Sequence, residues 1–508
     1  MPSRGGNPTP TNSKRRPFGR YESWVSSLGA RVLGSLLMGG ALAAHMAWPW
    51  RPLELLGLVL VSLAAGIVVH VHLRQVSGAS FDRADRIGKP ERIVFTTALV
   101  AVLGAQAIRA VLGRDYQSGA DYLLLGPIIA QAMLISALVG SSAALIGLSV
   151  TVLLMGVSGL FSIEMVMAAW IAGVVGAHAV NPMKQRSHLL RAVSLQAGAN
   201  VLIAVSLAIV FASPPMELAI GALWALVAAF IATSVFWLGL AVLERVFDLV
   251  SDWSLLELCS PEHPLLHDLA LRAPGTYAHS IGVANLAEAA ARNVGANPVL
   301  VRTMAYFHDV GKTVRPGYFI ENQTGENPHD HMSPALSAQV IAAHVKEGVD
   351  LARQKKLPGI IIDAIRQHHG TSLITYFYHR ARTGADTPDP CPDAQAKLEK
   401  FFRYEGPKPQ TREIAILHLA DQVEAATRTC RSLEECERLI VDIVERSRAD
   451  GQLDECDLTF RDASRIAHSF SQTVNALRHD RIEYPEPSVP EVVAHDPPLE
   501  PIPESAER

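Results

Sequence analysis

Apolar residues fill the first half of the chain in long blocks and recur at helical spacing through the second half. Eight blocks, at about 28–48, 53–73, 92–112, 121–139, 141–160, 164–181, 192–212 and 217–243, each approach the roughly 20 residues that cross a bilayer as a helix. After Leu243 the pattern changes, with apolar residues three and four apart and Glu244, Arg245, Asp248 and Asp252 between them. That spacing predicts an amphipathic connecting helix over 244–258. From about 259 to 482 the spacing stays helical, alternation of β-branched residues is absent, and Pro-Gly pairs punctuate the run at Pro274-Gly275, Pro316-Gly317 and Pro358-Gly359. The fold class expected is therefore all-α: a polytopic transmembrane helical bundle, 28–243, followed by an all-helical domain.

Three stretches depart from this pattern. Residues 1–27 read as a disordered basic arm rather than a cleaved leader, because the first apolar block is long and a second follows almost at once. The stretch from Arg382 to Glu399, with Pro388, Pro390 and Pro392, reads as a surface loop at the edge of a cleft. The tail 483–508, rich in Pro and Glu, holds too little apolar material to fold.

Composition agrees with membrane insertion: of 508 residues, 49% are apolar and 19% charged, and charge is concentrated outside the blocks. Basic residues mark alternate connections. Lys14, Arg15, Arg16 and Arg20 precede the first block, Arg74, Arg83, Arg86, Lys89 and Arg92 lie at 74–92, and Lys184, Arg186 and Arg191 lie at 183–191. An even number of spans with these segments inside places both ends, and the second domain, in the cytoplasm. Within the spans Gln106, Arg109, Gln131, His178, Gln196 and Asn200 are the polar exceptions, suited either to bonds between helices or to ligand sensing. The five cysteines all follow the membrane blocks and lack zinc-site pairing, as expected of reduced cytoplasmic thiols.

The candidate chemistry lies between Pro274 and Asp421. His279, His308, Asp309, His344, His368, His369 and Asp421 supply five imidazoles and two carboxylates, a set suited to borderline divalent ions such as manganese, iron, cobalt or zinc. One ion could not use them all. Two could, if Asp309 bridges them, with His279, His308 and Asp421 on the first and His344, His368 and His369 on the second. Such a pair activates a bridging water to hydroxide and stabilises charge on a phosphoryl oxygen, so the reaction implied is phosphoester hydrolysis. Lys312, one turn beyond His308, could reach a phosphate oxygen or a neighbouring carboxylate. The dipeptide His-Asp occurs five times, and only His308-Asp309 ends an apolar run with Gly311 and Lys312 behind it and histidine partners on both sides. His329-Asp330-His331, flanked by Asn327, Pro328 and Pro334, reads as a turn. Tyr376 and Tyr378 either stack bases of a substrate or pack in a core.

At this level of detail residues 256–431 resemble the catalytic domain of the seven-transmembrane-receptor HD-type phosphodiesterases, bacterial membrane proteins that hydrolyse cyclic di-AMP. The resemblance is carried by HPLL at 263–266, APGTYAHS at 273–280, VANLAEAAA at 283–291, HDVGK at 308–312, FIENQ at 319–323, NPHD at 327–330, HHGTSL at 368–373, YFY at 376–378, GPKPQT at 406–411 and LADQVEAA at 419–426. It implies an HD domain over 259–482, the same seven metal ligands, two ions of manganese or iron, and linear pApA as product. Relatives carry a large extracytoplasmic domain after the first membrane helix, where this chain is expected to have only a tight turn at about 49–52. The stimulus would then reach the enzyme another way.

Other readings compete. Enzymes of this type acting on cyclic di-GMP continue the His-His pair into a Glu-containing stretch ending in Gly-Tyr-Pro, whereas here Gly370-Thr371-Ser372-Leu373 follows. Mononuclear HD enzymes would not need His344 and the His368-His369 pair. A catalytically silent cyclic-dinucleotide receptor and a transporter with an accessory domain are rivals from other classes. The connecting helix either transmits a change in the bundle or pairs with a second copy in a homodimer. A nucleic-acid polymer is not expected as a partner.

Overall fold

The computed structural model describes residues 33–34, 36–43, 52–76, 84–112, 119–181, 186–247, 249–383 and 392–477. Seven apolar helices follow one another: α1 Pro52–Val76, α2 Ala84–Leu112, α3 Leu125–Leu138, α4 Ser141–Val157, α5 Ile163–Ala179, α6 Arg186–Val210 and α7 Pro215–Phe247. Residues 36–43 are helical too, and Met38 and Leu42 join the same core. The expected basic arm, the Pro- and Glu-rich tail and, except for Pro52 at the start of α1, the turn at 49–52 lie outside the described residues.

By length and composition, five helical stretches among the described residues could cross a membrane, and α4 and α5 are shorter at 17 residues each. Seventeen residues span about 26 Å, close to the ~30 Å of a hydrocarbon core. Helix α3 is apolar on every side, and so it is buried almost throughout, packed against α2, α4, α5 and α7. Small residues permit that approach: a Cβ on Gly173 would come within 2.4 Å of the Leu148 side chain.

The polar residues of the spans bind their own bundle. Gln131 donates to Thr151 Oγ1 at 2.8 Å, Gln196 to the Ala172 carbonyl at 3.1 Å, Asn200 to the Ala225 carbonyl at 3.1 Å and Arg109 to the Leu160 carbonyl at 2.8 Å. Gln106 donates to the Ala41 carbonyl, and His178 Nδ1 to the Val174 carbonyl at 2.9 Å. These bonds satisfy amide and guanidinium N–H donors of the bundle, while the buried Oε1 atoms of Gln131 and Gln196 have no partner among the described residues.

The connecting segment is not the single helix expected. Helix α7 runs on to Phe247, the chain extends, and a new helix α8, Asp252–Leu258, begins at Ser251. The cause is a local alternative to helical bonding: Glu244 accepts from the Ser251 backbone N–H at 2.9 Å and the Ser254 hydroxyl at 3.0 Å, while Ser251 caps α8. Helix α8 touches both halves of the molecule. Trp253 sets its ring edge-on to Trp237 of α7, and Leu255 is buried in the second core.

That second core belongs to an all-helical domain of α9 Pro264–Arg272, α10 Pro274–Val294, α11 Pro298–Phe307, α12 Pro334–Gln354, α13 Gly359–Gln367, α14 Thr375–Thr383, α15 Pro392–Phe401, α16 Arg412–Thr427, α17 Leu433–Ala449 and α18 Phe460–Leu477. Among the described residues no strand forms, apart from one antiparallel bridge between Leu373 and Arg403. Helix α10 is central, contacting α9, α11, α16 and α18. The helices that carry the candidate ligands start at defined points. Asn297 accepts from the Val299 and Leu300 amides ahead of Pro298, Ser333 caps α12 ahead of Pro334, and Thr411 caps α16. Of the surface loop expected at 382–399, residues 384–391 lie outside the described residues and 392–399 are helix, because Ala, Gln, Lys, Leu and Glu after Pro392 favour α15, whose Leu398 packs near Tyr378 and Phe402.

Candidate metal centre

Five elements deliver the seven candidate ligands to one place. His279 stands in the second turn of α10, His308 closes α11, Asp309 follows it, His344 projects from α12, His368 and His369 close α13, and Asp421 lies in α16. All are buried except His369, which is half-buried. They form two groups, Asp309 with His344, His368 and His369, and His279 with His308 and Asp421, in each of which the ligand atoms lie within 4.8 Å of one another.

Asp309 stands between the groups. Its Oδ2 lies 3.2 Å from His308 Nε2 and 3.7 Å from His279 Nε2, while its Oδ1 lies 3.3 Å from His344 Nε2 and 3.7 Å from His368 Nε2. Asp421 closes the first group, with Oδ1 2.9 Å from His279 Nε2, and its Oδ2 lies 3.5 Å from His369 Nδ1. Buried Asp309 Oδ1 and His308 Nε2 have no hydrogen-bond partner, as expected of atoms aimed at a cation.

Neighbouring groups fix how the imidazoles point. The Nδ1 atoms of His308, His344 and His368 donate to the carbonyls of Ala305, Ile341 and Ile365, three residues back, at 2.7, 2.6 and 2.8 Å. Each ring is thereby oriented with Nε2 facing the centre. His279 Nδ1 is tied to the Glu424 carboxylate, which Arg428 also holds at 2.7 Å. His418, buried beside the site and kept neutral by burial, donates from Nδ1 to the His368 carbonyl at 2.7 Å and accepts from Gln422 at 2.8 Å.

The electrostatics are those of a site short of positive charge. Burial opposes protonation of His308, but the Asp309 and Asp421 carboxylates outweigh it and push the imidazole up to about 10. His279 is raised in the same way, against burial, by Asp421 and Glu424. Burial and the charge on His308 bring His368 down to about 3, the neutral form a metal ligand requires. Both aspartates stay ionised despite burial, held well below the usual range by His308 and Lys312 for Asp309 and by His279 and His308 for Asp421.

Lys312 Nζ sits 2.7 Å from Asp309 Oδ2 and 2.9 Å from Glu321 Oε1, over the Phe319 ring. These carboxylates raise its pKa despite burial, so it remains a cation. A cleft of about 350 Å³ opens over the centre, lined by Lys312, Phe319, Glu321, Tyr404, Gln422 and Arg428 among others. Its size lies within the range of small-molecule sites.

Other residues fall elsewhere. His329 is buried away from the centre with Nε2 on the Tyr318 carbonyl at 2.9 Å, and Asp330 and His331 are exposed, as a turn requires. Tyr378 packs against Phe402 and Tyr376 is exposed, and the cleft lining includes neither, so the geometry gives base stacking there no support. The sequence reading missed Glu424, Glu321, Gln422 and Tyr404. Only Glu424 carried a signal, since it stands three residues after Asp421 and so shares its helix face.

Comparison with known proteins fits this architecture. Residues 52–251 match the family of 7TM receptors with intracellular HD hydrolase, and residues 276–426 match the HD domain. The cyclic-di-AMP phosphodiesterase PgpH of Bacillus subtilis is 38% identical over 404 residues, covering 77% of this chain and 55% of that protein. Its Listeria monocytogenes namesake is 43% identical over 257 residues, covering 49% and 34%. A crystal structure of the L. monocytogenes PgpH HD domain in complex with cyclic-di-AMP is 43% identical and covers 43% of this chain and all of that one, with a TM-score of 0.40. The chain thus spans about half the length of the first relative and a third of the second.

Proposed function

Because the chain belongs to the 7TM receptors with an intracellular HD hydrolase, we propose that it is a membrane-anchored, metal-dependent phosphodiesterase that hydrolyses cyclic di-AMP to linear pApA in the cytoplasm. The observation that carries the reading is Asp309, whose two oxygens face two separate groups of histidine ligands. A carboxylate so placed is what a pair of ions about 3.5–4 Å apart needs as a bridge. His279, His308 and Asp421 would hold one ion, and His344, His368 and His369 the other, with manganese or iron favoured. When bound, such ions supply an activated water and neutralise charge on a phosphoryl oxygen.

The chain's own residues account for the remainder. Lys312 holds Asp309 and Glu321 in place and adds a buried positive charge on the wall of the cleft, where the dianionic substrate enters. Glu424 orients His279, and Arg428 brings a second cation to the cleft lining. The choice of cyclic di-AMP over cyclic di-GMP rests on the relatives' substrate and on the Gly-Thr-Ser-Leu sequence after the His pair.

The test uses full-length protein in lipid nanodiscs, prepared without oxygen, loaded with manganese or iron and offered both cyclic dinucleotides, with products identified by mass. Formation of pApA at the higher rate, abolished in Asp309→Ala with helix content intact, is expected. Preference for cyclic di-GMP would overturn the substrate, and substantial activity in Asp309→Ala would overturn the bridged two-ion centre.

A further inference from the structure

Four of the five ligand histidines are oriented by a hydrogen bond from Nδ1, to the carbonyls of Ala305, Ile341 and Ile365 or to Glu424. His369 is the exception. Its Nδ1 lies 3.5 Å from Oδ2 of Asp421, itself a candidate ligand, and among the described residues no hydrogen bond fixes the ring. It is also the least buried of the five, with 21% of its side chain exposed. An imidazole at the mouth of a cleft with a free Cβ–Cγ torsion would spread over several orientations, only some of which ligate.

Three rings surround it: His368 and His344, candidate ligands themselves, lie 4.0 and 5.1 Å away with planes at 45° and 84°, and Tyr404 is the one that is not a candidate ligand. The Tyr404 ring lies nearly parallel to the His369 ring, centroids 4.2 Å apart and planes at 26°, the only stacked ring pair at the centre among the described residues. Tyr404 is itself held firmly. The segment Phe402–Tyr404 runs alongside Ser372–Ile374, immediately after the His pair, with Tyr404 N–H donating to the Ser372 carbonyl at 3.0 Å and Ile374 N–H to the Phe402 carbonyl at 2.8 Å. Arg403 secures the pairing, donating to the Thr371 carbonyl at 2.9 Å and to Glu399 and Asp450 at 2.7 Å. The backbone that carries His369 and the backbone that carries Tyr404 are therefore tied together within a few residues of both rings.

We propose that Tyr404 is a positioning residue, which holds the His369 imidazole in its ligating orientation by ring stacking and so sets the affinity of the ion shared by Asp309, His344, His368 and His369. The assignment rests on the two-ion reading of the site. It makes the ring the working part of Tyr404 and its hydroxyl dispensable for metal binding.

The experiment titrates Mn²⁺ into full-length protein in nanodiscs, with free Mn²⁺ followed by electron paramagnetic resonance, for wild type, Tyr404→Phe and Tyr404→Leu. Circular dichroism checks that each variant is folded. Tyr404→Leu should bind the second ion about 3- to 10-fold more weakly, the worth of one aromatic pair, with the first ion unaffected. Tyr404→Phe, which keeps the stack, should bind both ions as wild type does. Wild-type affinity for both ions in folded Tyr404→Leu, or equal weakening in both variants, would overturn the role of the ring. Uptake of a single ion by the wild type would instead overturn the two-ion reading on which the role depends.

Discussion

Gly311 lies two residues after Asp309, and its α-carbon faces the helix that carries His344. A Cβ placed on it would stand 1.9 Å from the His344 carbonyl oxygen and 2.6 Å from the Gly348 nitrogen, both backbone atoms that no rotamer change can move. Ordinary contact would require the loop and α12 to part by about 1.5 Å. Asp309 Oδ1 and His344 Nε2, now 3.3 Å apart, belong to the two parts that separate. Metal–ligand distances tolerate about 0.2 Å, so Gly311→Ala should lose the second ion, and turnover should fall about 100-fold, the usual result of a misplacement near 1 Å. Overpacking should also cost about 1–3 kcal/mol of stability. The assay is metal content after gel filtration, with the rise in Tm on adding Mn²⁺ as a second readout. Exposed Gly317, around which a Cβ meets nothing within 4 Å, provides the control in Gly317→Ala. Two ions bound by Gly311→Ala at wild-type affinity would refute the reasoning.

Two further outcomes follow from the electrostatics. His308, pushed up to about 10, and His279, also raised, carry protons at neutral pH that a metal must displace. Affinity for Mn²⁺ should therefore rise with pH between 6.5 and 7.5, by about 10-fold for each proton released; calorimetry in two buffers of different ionisation enthalpy counts those protons, and a count of zero would contradict the assignment. Glu424→Gln keeps an acceptor for His279 but removes the charge, and should weaken the ion held by His279, His308 and Asp421 by about 10-fold. Chelator competition measures this, and an unchanged constant would mean that Glu424 does not orient His279.

That the seven candidate side chains gather in two groups about Asp309 was legible in the sequence, because His-Asp and His-His pairs ending apolar helical runs point to a shared site. Membrane helices were legible because their length is set by the bilayer, and every boundary of α1 to α7 falls within about four residues of the expected block except where α2 begins at Ala84 and α6 at Arg186, ahead of the blocks expected from 92 and 192. The connecting segment was misread as one helix, since periodicity registers the apolar positions but not Glu244 bonding to Ser251. For the same reason α15 was hidden by the prolines that precede it.

What the sequence determined alone was therefore local: residue type, helical period and the alternation of basic connections. What only the tertiary structure decided was which oxygen of Asp309 faces which histidines, that Lys312 bonds Asp309 and Glu321 together, and that Tyr404 covers His369. These relations join residues that are distant in the chain, such as Glu424 and His279, 145 positions apart. Periodicity carries information over a few turns of one helix, whereas contacts between helices depend on how whole elements cross and on which glycine lets two backbones meet.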